Sequence, residues 1–174
     1  MVFLHSDVSI HDELLEEKLN MLFTYDRDLG MVGVYGTTLL TEHGGWWMSD
    51  RSTYGRGHIL QGLENGIVKH MEDRIGYFDD IVSIDGCMMA IKGSILNDYK
   101  FDESYKGYHF YDVDTSLTLQ QMGYKVAVAD ILIQHQSEGP VGEEWNGSRH
   151  QCINKWKKNG VTFPVTSEQM KGIK

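Results

Sequence analysis

Residues 107–135, GYHFYDVDTSLTLQQMGYKVAVADILIQH, decide the fold class. They predict a helix from about Asp112 to Met122. Gly123 stands at the C-cap position, where glycine ends helices by adopting the left-handed conformation. Two apolar runs follow, Lys125-Val126-Ala127-Val128 and Ile131-Leu132-Ile133-Gln134-His135, and both read as strands. A helix feeding short apolar strands points to an α/β chain with buried strands.

Toward the amino terminus, Ile81-Val82-Ser83-Ile84-Asp85-Gly86 reads as a strand running into a polar end, and Met88 to Lys92 continue as extended chain. Met31 to Gly36 form another strand, ending at glycine. Met1 to His5 are a short apolar run, expected as a strand buried on both faces. Ser9 with Asp12 resembles a capping box, so a helix is expected there. Leu15, Leu19 and Leu22 carry its stripe, widened by Leu14 and Phe23, to an end near Asp28 to Gly30. A last helix is expected over 143–158, closed by Asn159-Gly160.

Residues 37–66 lack periodicity and contain Gly44-Gly45-Trp46-Trp47 and Tyr54-Gly55-Arg56-Gly57. A long glycine-rich, aromatic segment reads as a flexible functional loop or lid, with a disordered insertion as the alternative. The whole, 1–174, reads as a single domain: α/β, with a mixed, mostly parallel sheet flanked by helices. Ligands of such sheets bind where strands run out, which draws attention to Asp7, Asp85 and His135.

A chain of 174 residues suits one domain with a real core. Its net charge of −9 argues against nucleic acid, since gripping a phosphate backbone needs a basic stripe. An acidic protein can still bind an anionic small molecule through a divalent cation. No apolar run approaches a membrane span, and no secretion leader is visible. Cys87 and Cys152 read as reduced, buried thiols, and a cytoplasmic location is expected.

Three places could carry chemistry. Asp7 follows a strand on a tight polar turn, where a carboxylate can hold Mg²⁺ or Mn²⁺; a plain turn residue is the alternative. His135 shares the face of Ile131 and Ile133 and should point inward or into a cleft, as a core residue or a ligand. Asp112 and Asp114 begin a helix, where acids are also favoured by the dipole. Two residues apart, they do not share a face, so one should enter the cleft as a general base and the other cap or brace.

In order and spacing these pieces resemble the glycosyltransferase family 2-like group with the GT-A fold. The resemblance rests on Phe3-Leu4-His5-Ser6-Asp7-Val8, on Val32 to Gly36 and on Ile84 to Ala90. It rests further on Phe101-Asp102-Glu103, His109 to Leu117, Gly123 to Val126 and Ile133-Gln134-His135, and Trp145 and Lys155-Trp156 resemble the tail of a bacterial subgroup. It spans about residues 2 to 158.

The resemblance implies a metal-dependent enzyme that moves a sugar from a nucleotide-sugar, such as a UDP-sugar, to the hydroxyl of a glycan or other acceptor, with inversion. Asp7 and His135 would hold Mn²⁺ or Mg²⁺. His5 stands where many members carry aspartate and would lie near donor or acceptor. Asp112 would be the catalytic base. Asp85, Gly86, His109 and Asp114 would lie near donor or acceptor, and Trp46 and Trp47 would belong to a closing loop. The family's usual nucleotide-binding strand–helix–strand region does not precede Asp7. A partial GT-A domain is therefore expected, with an exposed sheet edge that favours a homo-oligomer. Two other readings stay open: a non-catalytic carbohydrate-binding remnant, and a different metal-dependent enzyme on the same architecture.

Overall fold

The computed structural model describes residues 1–63, 66–105, 107–137 and 141–164. In chain order the elements are β1 (Val2–Leu4), β2 (Val8–Ile10), α1 (Leu15–Tyr25), β3 (Leu29–Gly33), β4 (Tyr35–Thr37), a 3-10 turn (Trp46–Met48), α2 (Arg51–Tyr54) and β5 (Gly55–Gly62). There follow β6 (Val68–Glu72), β7 (Ser83–Ile84), β8 (Met88–Ile91), a second 3-10 turn (Gly93–Asn97), α3 (Tyr111–Gln121), β9 (Lys125–Val128), β10 (Ile133–His135) and α4 (Glu143–Lys158).

Two sheets form. One has the order β1-β8-β3-β9; the other has the order β2-β10-β5-β4-β7, with β6 also paired to β5. Of the described ladders only β3–β9 and β5–β10 are parallel. The others are antiparallel. The fold is mixed α/β, and the expectation of a mostly parallel sheet is corrected. An apolar run reports burial, not strand direction. Met31, Met89 and Ile91 pack with Leu119 of α3, while Val32 and Ala90 belong to the cluster that contains Leu19 of α1. Both faces are covered, as in a parallel sheet, although most neighbours run antiparallel.

Three local expectations change. β1 is an edge strand with exposed Val2 and Leu4, and it is not buried on both faces. Only Phe3 turns inward, edge-on to Phe101 at 5.2 Å. Ser9 lies in β2 opposite Gln134, so it caps nothing. Asp12 instead accepts the Leu14 N–H at 3.0 Å and the Lys18 ammonium at 2.6 Å just ahead of α1. The segment 37–66, expected as a loop, contains α2 and the eight-residue β5. Glycines at 55, 57 and 62 hide β5 from a propensity reading. Gly57 has φ +100°, and a Cβ there would strike the Val34 carbonyl. This residue lets β5 pass from pairing with β4 to pairing with β6 and β10.

α3 is buried on two sides. Leu119 joins the cluster under the first sheet, while Val113 and Leu117 meet Trp145, Ile153 and Trp156 of α4. The start of α3 is thereby fixed beside the ends of β1, β7 and β10. Cys87 and Cys152 are free and buried. No helix among the described residues is long and apolar enough to cross a membrane.

Candidate active site

A cleft of about 360 Å³ opens where these ends meet. Its walls include His5 after β1, Asp85 and Gly86 after β7, His135 at the end of β10, and Tyr111 and Asp112 at the start of α3. His109, Trp46 and Trp47 also line it. His5 and His135, 130 positions apart in the chain, thus face one space.

At one end His5, Asp7 and His135 form a trio whose donor atoms all lie within 4.8 Å of one another. His5 Nδ1 is 3.3 Å from His135 Nε2, and His135 Nε2 is 3.5 Å from Asp7 Oδ1. The Ser137 hydroxyl donates to Asp7 Oδ2 at 2.6 Å and steers the carboxylate. Burial works to raise the Asp7 carboxyl, but the Ser137 bond and the nearby His135 outweigh it and hold it below the usual range. Burial first, and then His135, lower the His5 imidazole.

Gly86 links the trio to the carboxylate at the other end. Its N–H donates to Asp112 Oδ2 at 3.1 Å, and its carbonyl accepts from the Tyr111 hydroxyl at 2.9 Å. The same hydroxyl lies 2.5 Å from His5 Nε2. A phenol has one proton. With that proton on the Gly86 carbonyl, His5 Nε2 must be the donor to the phenol oxygen. His5 Nδ1 then carries a lone pair toward His135. A Cβ on Gly86 would collide with the Tyr111 hydroxyl and crowd Asp112, so this close approach requires glycine.

Asp112 is half-buried yet opens on the cleft. Burial first, and the charge of Asp85 second, push its carboxyl up to about 7, against hydrogen bonds from the Val113 and Gly86 N–H groups. A carboxylate poised near neutrality suits proton abstraction. Phe110, just before α3, has φ 65° and ψ 0°, the left-handed region rarely used by a bulky residue. Such strain persists where packing over-determines it. Here the Phe110 ring is buried 5.2 Å from Trp145, and the turn delivers Tyr111 and Asp112 to the cleft.

Asp114 does not line the cleft, which corrects its expected place near donor or acceptor. It is buried and accepts from Tyr105 Oη at 3.1 Å, Trp156 Nε1 at 2.8 Å and Lys155 Nζ at 2.8 Å. It braces α3 against α4. Asp7 does not itself line the cleft but lies beside His5 and His135, which do.

The sequence reading missed Tyr111, Arg51, Gln61 and Trp145, all of which line the cleft. Tyr111 stands beside Asp112, and its role needs the distant His5. Arg51 donates to Tyr35 Oη at 3.0 Å and pairs with Asp73 at 3.3 Å. Gln61 donates to the Ser137 carbonyl at 2.7 Å, tying β5 to the end of β10. Trp47 and Trp145 stand 6.0 Å apart and build an aromatic wall.

No curated protein matches the chain. A family model described as "Glycosyltransferase like family" matches residues 1–163, a span that takes in every residue of the cleft. By that match the chain belongs to a glycosyltransferase-like family.

Proposed function

We propose that the chain transfers a sugar from a nucleotide-sugar donor, a UDP-sugar, to an acceptor hydroxyl with inversion, using Asp112 as general base. One observation carries the reading: Asp112 lines the same cleft as His5 and His135, and Asp7 lies beside those two imidazoles. Asp112 would take the proton of the acceptor hydroxyl as the oxygen attacks the anomeric carbon. Trp46 and Trp47, with Trp145 beside Trp47, would stack on sugar faces and exclude water, the competing acceptor.

The trio fits a divalent cation through its donor chemistry. Two imidazole nitrogens and one carboxylate suit Mn²⁺ better than Mg²⁺, which prefers oxygen ligands throughout. When bound, such an ion neutralises the charge of the leaving diphosphate. His5, Asp7 and His135 would hold it, and Tyr111 would keep His5 in the ligating tautomer.

Calorimetric titration with UDP tests the reading. Binding should be strong with Mn²⁺ and weak without it; glycan binding with no nucleotide affinity at all would point to a carbohydrate-binding remnant instead. A second expectation concerns Tyr111. Tyr111→Phe removes the hydroxyl that orients His5 but leaves the ring in place. Partners behind a metal ligand are typically worth ~10–100-fold in metal affinity. Manganese binding should weaken by about that factor. Unchanged manganese affinity would remove Tyr111 from the metal site.

A further inference from the structure

A second pair of imidazoles lies on β5 and β6. In this ladder Ile59 pairs with Met71 and Leu60 with His70. Side chains alternate along strands. Gln61 and Met71 line the cleft, so His58 and His70 occupy the opposite face. His58 Nδ1 is 3.2 Å from His70 Nε2, with the rings 5.4 Å apart.

Each outward nitrogen has a carboxylate beside it. Asp130 Oδ1 is 3.0 Å from His58 Nε2, and Glu72 Oε2 is 3.5 Å from His70 Nδ1. The Asp130 contact is electrostatic: this buried nitrogen has a charge nearby but no aligned hydrogen bond. When the inner nitrogens bind a cation, the two carboxylates favour the protons on the outward ones. The inner nitrogens face each other at 3.2 Å, and either a shared proton or a cation can join them, according to the tautomers. Two imidazole nitrogens, each ~2.0–2.1 Å from one tetrahedral ion, stand about 3.3 Å apart. The observed separation matches that spacing.

We propose that His58 and His70 form a two-histidine site for a borderline transition-metal dication, Zn²⁺ in the first instance, separate from the cleft. The carboxylates stand beside the outward nitrogens, in position to accept the N–H of a metal-bound histidine. No carboxylate lies between the rings, so the site selects ions that imidazole suits, Zn²⁺, Cu²⁺ or Ni²⁺, over Mg²⁺ and Mn²⁺. An ion held there clamps β6 to β5, and the other face of that ladder presents Gln61 and Met71 to the cleft.

Titrating the metal-free protein with ZnCl₂ at pH 8, where ordinary imidazoles are neutral, tests the site. His70→Ala changes a side chain that is 42% exposed, so the fold should survive, and circular dichroism checks this. The variant should bind one Zn²⁺ equivalent fewer than the parent, whatever the cleft itself binds. Asp130→Asn should keep that equivalent but weaken it about tenfold. If His70→Ala loses no zinc equivalent, the site is overturned. If the parent binds none outside the cleft, the facing nitrogens share a proton only, and the proposal fails with it.

Discussion

An Asp112→Asn enzyme should turn over at least about a hundredfold more slowly than the parent, while its affinity for donor nucleotide stays close to unchanged. Positioned general bases typically contribute ~10²–10⁴ in rate. Asparagine keeps the shape and a carbonyl oxygen for the Gly86 N–H, which now donates to Asp112 Oδ2 at 3.1 Å, but gives up the oxygen that accepts from the Val113 N–H at 2.8 Å. It cannot take a proton, so the loss should fall on turnover. Turnover within a few-fold of the parent would exclude Asp112 as the base.

The parent's pH profile follows from the same group. Burial and Asp85 push the Asp112 carboxyl up to about 7, so activity should rise with pH through that region as the base ionises. Stability runs the other way. A carboxyl whose folded pKa lies above its unfolded value binds its proton more tightly when folded. The contribution is full below the unfolded value of 3.8 and is lost as pH rises through about 7. Asp112→Asn should therefore gain in melting temperature on the parent between pH 4 and pH 8. A variant that is slow and shows no such gain with pH would signal damage to the cleft rather than loss of a base.

The residues that lie along single elements were legible in the sequence. α4 spans the expected 143–158, and α3 starts one residue before Asp112 and stops before Gly123, because apolar spacing and a glycine stop are local signals. Asp7, Asp85, Asp112 and His135 could each be singled out because each ends or follows a strand or opens a helix, whereas His5 entered only through the resemblance. The sequence could not show what joins them. Tyr111 sits next to the proposed base in the chain, but it works on Gly86 and on His5, 106 residues away. β5 was hidden because its glycines lower strand propensity, although they are what let it cross between ladders. Strand direction was lost for a related reason: Met31 and Met89 are equally apolar whether their strands run together or opposed, and here they are opposed.

The structural counterpart to Asp112 is its neighbour two residues on, and replacing it should produce the largest loss of stability. Asp114 is 3% exposed, and three donors converge on it. Asp114→Ala would leave the Trp156 indole N–H and the Tyr105 hydroxyl without their acceptor between α3 and α4. Removing one member of a buried ion pair typically costs ~3–5 kcal/mol. Lys155 is one-third exposed and keeps Asp102 at 2.8 Å, which places the expected cost near the low end, about 3 kcal/mol. In a domain of this size that lowers the melting temperature by roughly 6–12 °C. Asp114→Asn keeps one carbonyl oxygen for Trp156 or Tyr105 and should lose less. Thermal or urea unfolding of the two variants reads the difference directly. If Asp114→Ala melts with the parent while turnover collapses, Asp114 belongs to the chemistry after all, and the division of labour between the two acids at the start of α3 is reversed.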